Sequence, residues 1–185
     1  LHLKVVEESM KFVSRFSACF LLGIGLSVNS LVLFAQEQVN AAADENHYKD
    51  VKKQLEGIQA DPGRLATVIK EGKRRTVFCR TCHGENGAAK RQNVPNLAGQ
   101  NALYLYTQLE RFSSGRRYDF MMAGLAQNLT TQDMKNIALY YSSLEVKTAG
   151  GGDEKLKASG KATYAIQCVG CHKKGALGDE QIPRL

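Results

Sequence analysis

No stretch of the 185-residue chain sustains an alternation of apolar and polar residues at period two, which argues against a sheet-built architecture. No βαβ pattern is present either, so a thioredoxin-like use of paired cysteines lacks its usual setting. The residue types that carry chemistry are scarce: five Cys, four His, four Met and no Trp. No Met follows Met134, and no His or Cys follows His172. The chain shows no separate catalytic constellation of nucleophile, base and acid. Only three prolines occur, and two of them, Pro95 and Pro183, recur at matching places in a repeat.

The scarce residues are concentrated. Cys79-Arg80-Thr81-Cys82-His83 and Cys168-Val169-Gly170-Cys171-His172 use four of the five Cys and two of the four His. Cys-x-x-Cys-His is the attachment signature of c-type haem. Two thiols add across porphyrin vinyl groups, one helical turn sets both sulfurs along the porphyrin edge, and the adjacent His reaches the iron as proximal ligand. Zinc would accept four thiolates. However, 85 residues lie between Cys82 and Cys168, and zinc gives no reason for a His after each pair. Disulfides leave the repeated His equally unexplained. The pentads therefore predict two covalently bound haem c groups (iron), with Cys79, Cys82, Cys168 and Cys171 as tethers and His83 and His172 as iron ligands.

Residues 1–43 read as a signal peptide. Lys11 and Arg15 precede an apolar run from Phe16 to Phe34, and Ala41-Ala42-Ala43 offers a small-residue cleavage site. Met10 is the expected initiator. The run of about 19 residues is also long enough for an uncleaved anchor, though Gly23, Gly25, Ser27, Asn29 and Ser30 weaken that alternative. Export and haem attachment support each other, since attachment of this kind takes place on the outer side of a membrane. Residues 44–185 keep a formal charge of +7, from 22 Lys and Arg against 15 Asp and Glu. Two haems would add four propionates, so the basic balance does not point to nucleic acid. Lys73-Arg74-Arg75 and Arg116-Arg117 read as solvated surface, propionate partners or docking charges for an acidic redox partner.

Aligning the pentads exposes an internal repeat. Val94-Pro95-Asn96-Leu97 follows the first and Ile182-Pro183-Arg184-Leu185 the second. The expected domains are an extension at 44–62, a first haem domain at 63–146, a linker at 147–153 with Gly150-Gly151-Gly152, and an incomplete second copy at 154–185. Either the sequence is a fragment or a partner completes the second copy. In the first module Leu65, Val68 and Ile69 have helical spacing, Ala102 to Phe112 places Leu105, Leu109 and Phe112 on one stripe, and Gly115 ends that helix. Thr130-Thr131-Gln132-Asp133 is a capping box for a third helix with Ile137, Ala138 and Tyr141 inward. Asp61-Pro62-Gly63 reads as a turn. The stretch from His47 to Ile58 reads as a polar helix, and Met121-Met122 as a non-helical stretch whose thioether can swing over a haem face. Met134 reads as packing.

Cys-Arg-Thr-Cys-His-Gly, Val-Pro-Asn-Leu-Ala-Gly-Gln, Tyr-Leu-Tyr-Thr-Gln-Leu, Phe-Met-Met-Ala-Gly-Leu and Leu-Thr-Thr-Gln-Asp-Met-Lys-Asn-Ile-Ala-Leu-Tyr-Tyr together resemble one haem domain of the cytochrome c4 family, the dihaem class I cytochromes of the bacterial periplasm. The resemblance runs from Gly72 to Leu144 and begins again from Gly160 to Leu185. It implies an all-α class I cytochrome c domain followed by an incomplete second copy. It implies Met122 as sixth ligand of the first iron, counted back from Leu129, with Met121 as runner-up. It also implies a hydrogen bond from the His83 ring to the Pro95 carbonyl, and from His172 to Pro183. The implied activity is single-electron transfer between a quinol-oxidising complex and a terminal oxidase or periplasmic reductase. The alternative is an enzyme or enzyme subunit using an open-coordinate haem at His172. Gly72 precedes its pentad by seven residues and Gly160 by eight, so the two helix crossings are expected to differ.

Overall fold

A computed structural model describes residues 44–146 and 152–185. The expected signal peptide and most of the 147–153 linker lie outside the described residues. The chain divides into compact units at 1–47 and 48–185. Of the first, only residues 44–47 are described, and they are helical. Every regular element among the described residues is helical, as the lack of period-two patterning predicts.

The helical run 44–59 (α1) is followed by α2 (Pro62–Arg75), α3 (Val77–His83), α4 (Ala102–Ser113), α5 (Phe120–Ala126) and α6 (Thr131–Ser142). The turn expected at Asp61-Pro62-Gly63 is the start of α2. Asp61 caps it by accepting the Arg64 N–H at 3.0 Å, and Pro62 occupies the first turn, where a missing N–H costs nothing. Lys73, Arg74 and Arg75 crowd the last turn, where cations complement the helix dipole. Their charges are partly consumed there: Arg74 pairs with Glu71 at 2.9 Å and Arg75 with Asp133 at 2.7 Å.

α2 crosses α6 at Gly72, where a Cβ would meet the Asn136 carbonyl oxygen and lie 2.7 Å from the Tyr140 Cβ. α6 opens with the expected capping box: Thr130 and Asp133 bond each other's backbone N–H at 3.1 Å. Its Ile137, Ala138 and Tyr141 are buried as expected, and Met134 is core. α4 contributes Leu105 and Phe112 to the interior, with Tyr106 buried more deeply than either.

The helix read as polar is only superficially so. Val51, Leu55 and Ile58, spaced four and three apart, form one narrow stripe that is buried within the same hydrophobic core as α4 and α6. Burying each such side chain contributes roughly 1.5–3 kcal/mol before cavity effects, so residues 48–59 are structural members of the fold.

After the gap, Asp153 caps α7 (Glu154–Thr163) by accepting from Lys155 and Leu156 N–H groups. A π-helical turn at Tyr164–Cys168 leads into α8 (Val169–His172), then a 3-10 turn at Lys174–Ala176. The first module enters its pentad differently, through a break at Thr76. The extra residue between Gly160 and Cys168 falls in the segment that runs as the wider turn. α7 buries no residue, and a Cβ at Gly160 would meet nothing within 4 Å.

Candidate functional site

α3 carries the whole first pentad. Cys79 and Cys82 stand three residues apart, hence on one helix face. Cys79 is half-buried against the hydrophobic core, and burial pushes its thiol above the usual range despite nearby Arg75 and Arg80; Cys82 is exposed. His83 ends the helix and is buried. Gly84 follows with φ +81°, ψ 156°, a conformation that glycine adopts without strain.

The decisive local geometry is at the His83 ring. Its Nδ1–H donates to the Pro95 carbonyl at 2.8 Å. That bond fixes the tautomer, so the Nε2 lone pair is left for a metal. The Val94–Gln100 loop is held for this purpose by its own backbone: Leu97 N–H and Ala98 N–H donate to Gly87 O, and Gly99 N–H to Tyr141 O at 2.9 Å.

The second pentad repeats the arrangement on different local structure. Cys168 closes the π-helical turn, Cys171 and His172 lie on α8, and Cys171 is exposed like Cys82. His172 Nδ1–H donates to the Pro183 carbonyl at 2.9 Å. Lys173 occupies the place of Gly84 with φ +63°, ψ 172°, and its carbonyl accepts the Tyr164 hydroxyl at 2.6 Å. The 177–185 loop is tied locally: Asp179 Oδ1 accepts from Gln181 and Ile182 N–H groups, and these hydrogen bonds hold its carboxyl below the usual range.

Met121 and Met122 do not lie in a non-helical stretch, as the sequence suggested. They open α5, because Asp119 accepts the Met122 N–H at 2.9 Å and caps the short helix. α5 packs on α4, with Ala126 buried; Met121 is exposed and Met122 half-buried. Met122 is therefore the more sheltered thioether of the pair.

The donor set fits covalent haem at each pentad: two thiols on one side of a short helix, then an imidazole with its second nitrogen already committed. Large apolar side chains left in solvent include Val77, Phe78 and Met121, surface that a flat apolar macrocycle could cover. Among the described residues no cluster of three or more His, Cys, Asp or Glu offers a competing metal site.

Comparison with known proteins agrees. The cytochrome c family model matches residues 69–145. Cytochrome c-554(548) of Halomonas halodenitrificans is 39% identical over 70 residues, 36% of this chain and 84% of that relative. Cytochrome c4 of Pseudomonas aeruginosa is 34% identical over 115 residues, covering 58% of this chain and 57% of the relative. The reduced cytochrome c4 structure from Pseudomonas stutzeri superposes with a TM-score of 0.57 at 29% identity, over 63% of this chain and 70% of that one. The chain belongs to the cytochrome c4 family. Its fold is the all-α class I haem fold, and its cofactor is covalently bound haem c. The chain spans 57–63% of the length of the cytochrome c4 relatives it matches. No helix among the described residues is long and apolar enough to cross a membrane.

One set of contacts had no counterpart in the sequence reading. Gln100, buried just after the Pro95 loop, reaches the second module's Pro183 loop. Its Nε2–H donates to the Arg184 carbonyl at 3.0 Å, and its Oε1 accepts the Arg184 N–H at 2.8 Å. Asn101 Nδ2–H donates to the carbonyls of Leu177 and Asp179, at 3.2 and 2.7 Å. Lys52 of α1 pairs with Glu180 at 2.5 Å. The only sequence signal was that Gln100 closes the Val-Pro-Asn-Leu-Ala-Gly-Gln motif.

Proposed function

We propose that this chain carries two haem c groups and passes single electrons between proteins of the periplasm. The observation that carries the reading is the matched pair of imidazole–carbonyl bonds, His83 to Pro95 and His172 to Pro183, each beside a Cys-x-x-Cys pair. Bound haem supplies one-electron cycling of its iron. The chain's residues hold it. Cys79 and Cys82 tether the first group, Cys168 and Cys171 the second; His83 and His172 are the proximal ligands; Pro95 and Pro183 orient those rings; Met122 is the sixth ligand of the first iron.

The reading makes the chain an electron carrier rather than an enzyme. Four haem propionates bring the formal charge of +7 down to about +3, a modest basic balance that suits docking to acidic redox partners. By class these are a quinol-oxidising complex on the donating side and a terminal oxidase or periplasmic reductase on the accepting side. Residues 63–146 carry the first haem site, with the 48–59 helix packed into the same core, and 154–185 carry the second pentad.

The test is haem stoichiometry in exported protein. Acid-acetone extraction should leave haem on the polypeptide, and pyridine haemochrome spectra should give two per chain. Cys79→Ala should weaken attachment at the first site alone, and Cys168→Ala at the second alone. One haem per chain, unaffected by Cys168→Ala, would remove the second site from the reading.

A further inference from the structure

We infer that Gln100, a residue of the first module, is a positioning residue for the second haem and sets its potential through His172. This rests on the reading that His172 is an iron ligand. The Pro183 carbonyl and the Arg184 N–H are the two ends of one peptide group. The His172 Nδ1–H donates to that group's oxygen at 2.9 Å, while its N–H donates to Gln100 Oε1 at 2.8 Å. Imidazole, peptide and side-chain amide thus form one hydrogen-bonded relay. Donating a hydrogen bond from the N–H end draws charge toward the carbonyl oxygen and makes it a better acceptor, by roughly 10–30% per bond in such chains. A better acceptor pulls harder on the His172 Nδ1–H, and the Nε2 lone pair becomes more basic. A more basic proximal ligand favours ferric iron and lowers the potential.

The geometry is built for this. Gln100 is only 7% exposed, so its end of the relay is shielded from water, while His172, Pro183 and Arg184 are half-buried. Both ends of its amide are committed to Arg184, which fixes the side chain's direction, and the Asn101 N–H adds a third bond to Oε1 at 3.0 Å. In the first module the equivalent group, the Asn96 N–H of the Pro95–Asn96 peptide, donates to no side-chain acceptor among the described residues, and the Asn96 side-chain oxygen instead accepts the Ala89 N–H at 2.8 Å. Asn101 touches the same loop at Leu177 and Asp179, away from the Pro183–Arg184 peptide. Docking of the loop and polarisation of its peptide are therefore separable by mutation.

The experiment is a potentiometric titration of the full chain with both haems attached, the second assigned by comparison with Cys168→Ala. In Gln100→Leu the second midpoint should rise while the first holds, and the Arg184 amide should exchange its hydrogen faster. Gln100→Glu keeps an acceptor for the Arg184 N–H, so its second midpoint should stay at or below that of the parent. Asn101→Ala should loosen the loop without moving that midpoint. An unchanged second potential in Gln100→Leu, or an equal rise in Asn101→Ala, would overturn the relay while leaving two haems intact. Absence of haem at His172 in the parent chain would overturn the underlying reading, and the relay with it.

Discussion

Gly72 lies so close to Tyr140 that a Cβ added to it would sit 2.7 Å from the Tyr140 Cβ. That contact is where α2 and α6 cross, and it sets how closely the two helices beneath the first pentad approach. Gly72→Ala must push them apart, and overpacking of this kind typically costs about 1–3 kcal/mol. The repeat's counterpart behaves oppositely. Gly160 faces open space in α7, so Gly160→Ala should be neutral or stabilising by up to ~1 kcal/mol, the helix-propensity gain. Denaturant unfolding of both variants checks the contrast; equal effects would sink it.

Leu55→Ala should destabilise the protein by about 2–5 kcal/mol, as truncation of a buried leucine does. Leu55 is 2% exposed and shares the core with Tyr106 and Tyr140. The midpoint of urea unfolding is the measurement. A loss below ~0.5 kcal/mol would mean that the 48–59 helix is an appendage.

Asp133 gives a pH-dependent term. Burial raises its carboxyl's pKa, but hydrogen bonds from Thr130 and the Arg75 guanidinium outweigh this and hold it below the ordinary value near 3.8. A carboxyl depressed in the folded state contributes stability that is complete above its unfolded pKa and is lost as pH falls through the folded one. Asp133→Asn should therefore cost about 1 kcal/mol near neutral pH, a typical capping loss. The difference from the parent should shrink below about pH 4. A difference that grew with acidity would contradict the sign.

Met122→Ala should abolish the weak long-wavelength band that reports iron–thioether ligation in the oxidised protein, whereas Met121→Ala should leave it. Met122 is sheltered and Met121 is 63% exposed on α5. Survival of the band in Met122→Ala with loss in Met121→Ala would move the assignment by one residue.

What the sequence disclosed follows from how local each signal is. The pentads, the Asp133 capping box and the Pro95 and Pro183 positions are short-range patterns, and the structure has the cap and both ring-to-carbonyl bonds. The 48–59 helix looked polar because three apolar residues at spacings of four and three are diluted by Lys and Glu between them. Its partners are the distant α4 and α6. α5 is illegible in the sequence because seven residues give barely two turns, too few for a helical period to show, and its start depends on the single Asp119 cap. The Gln100–Arg184 pairing joins residues 84 apart, and no spacing rule connects them.

That distance has a consequence for the order of assembly. The His83 ring finds its carbonyl 12 residues away, and His172 finds its own 11 away, so either loop could close early. The peptide that completes the second loop, however, is gripped by a residue 84 positions upstream. Closing so long a segment carries an entropy cost that must be met before the contact returns anything. The first module should thus be formed when the second ring acquires its final surroundings, making maturation of the two halves sequential. Pulse-labelled hydrogen exchange would register this as protection of the Leu139 amide in α6 before that of Arg184.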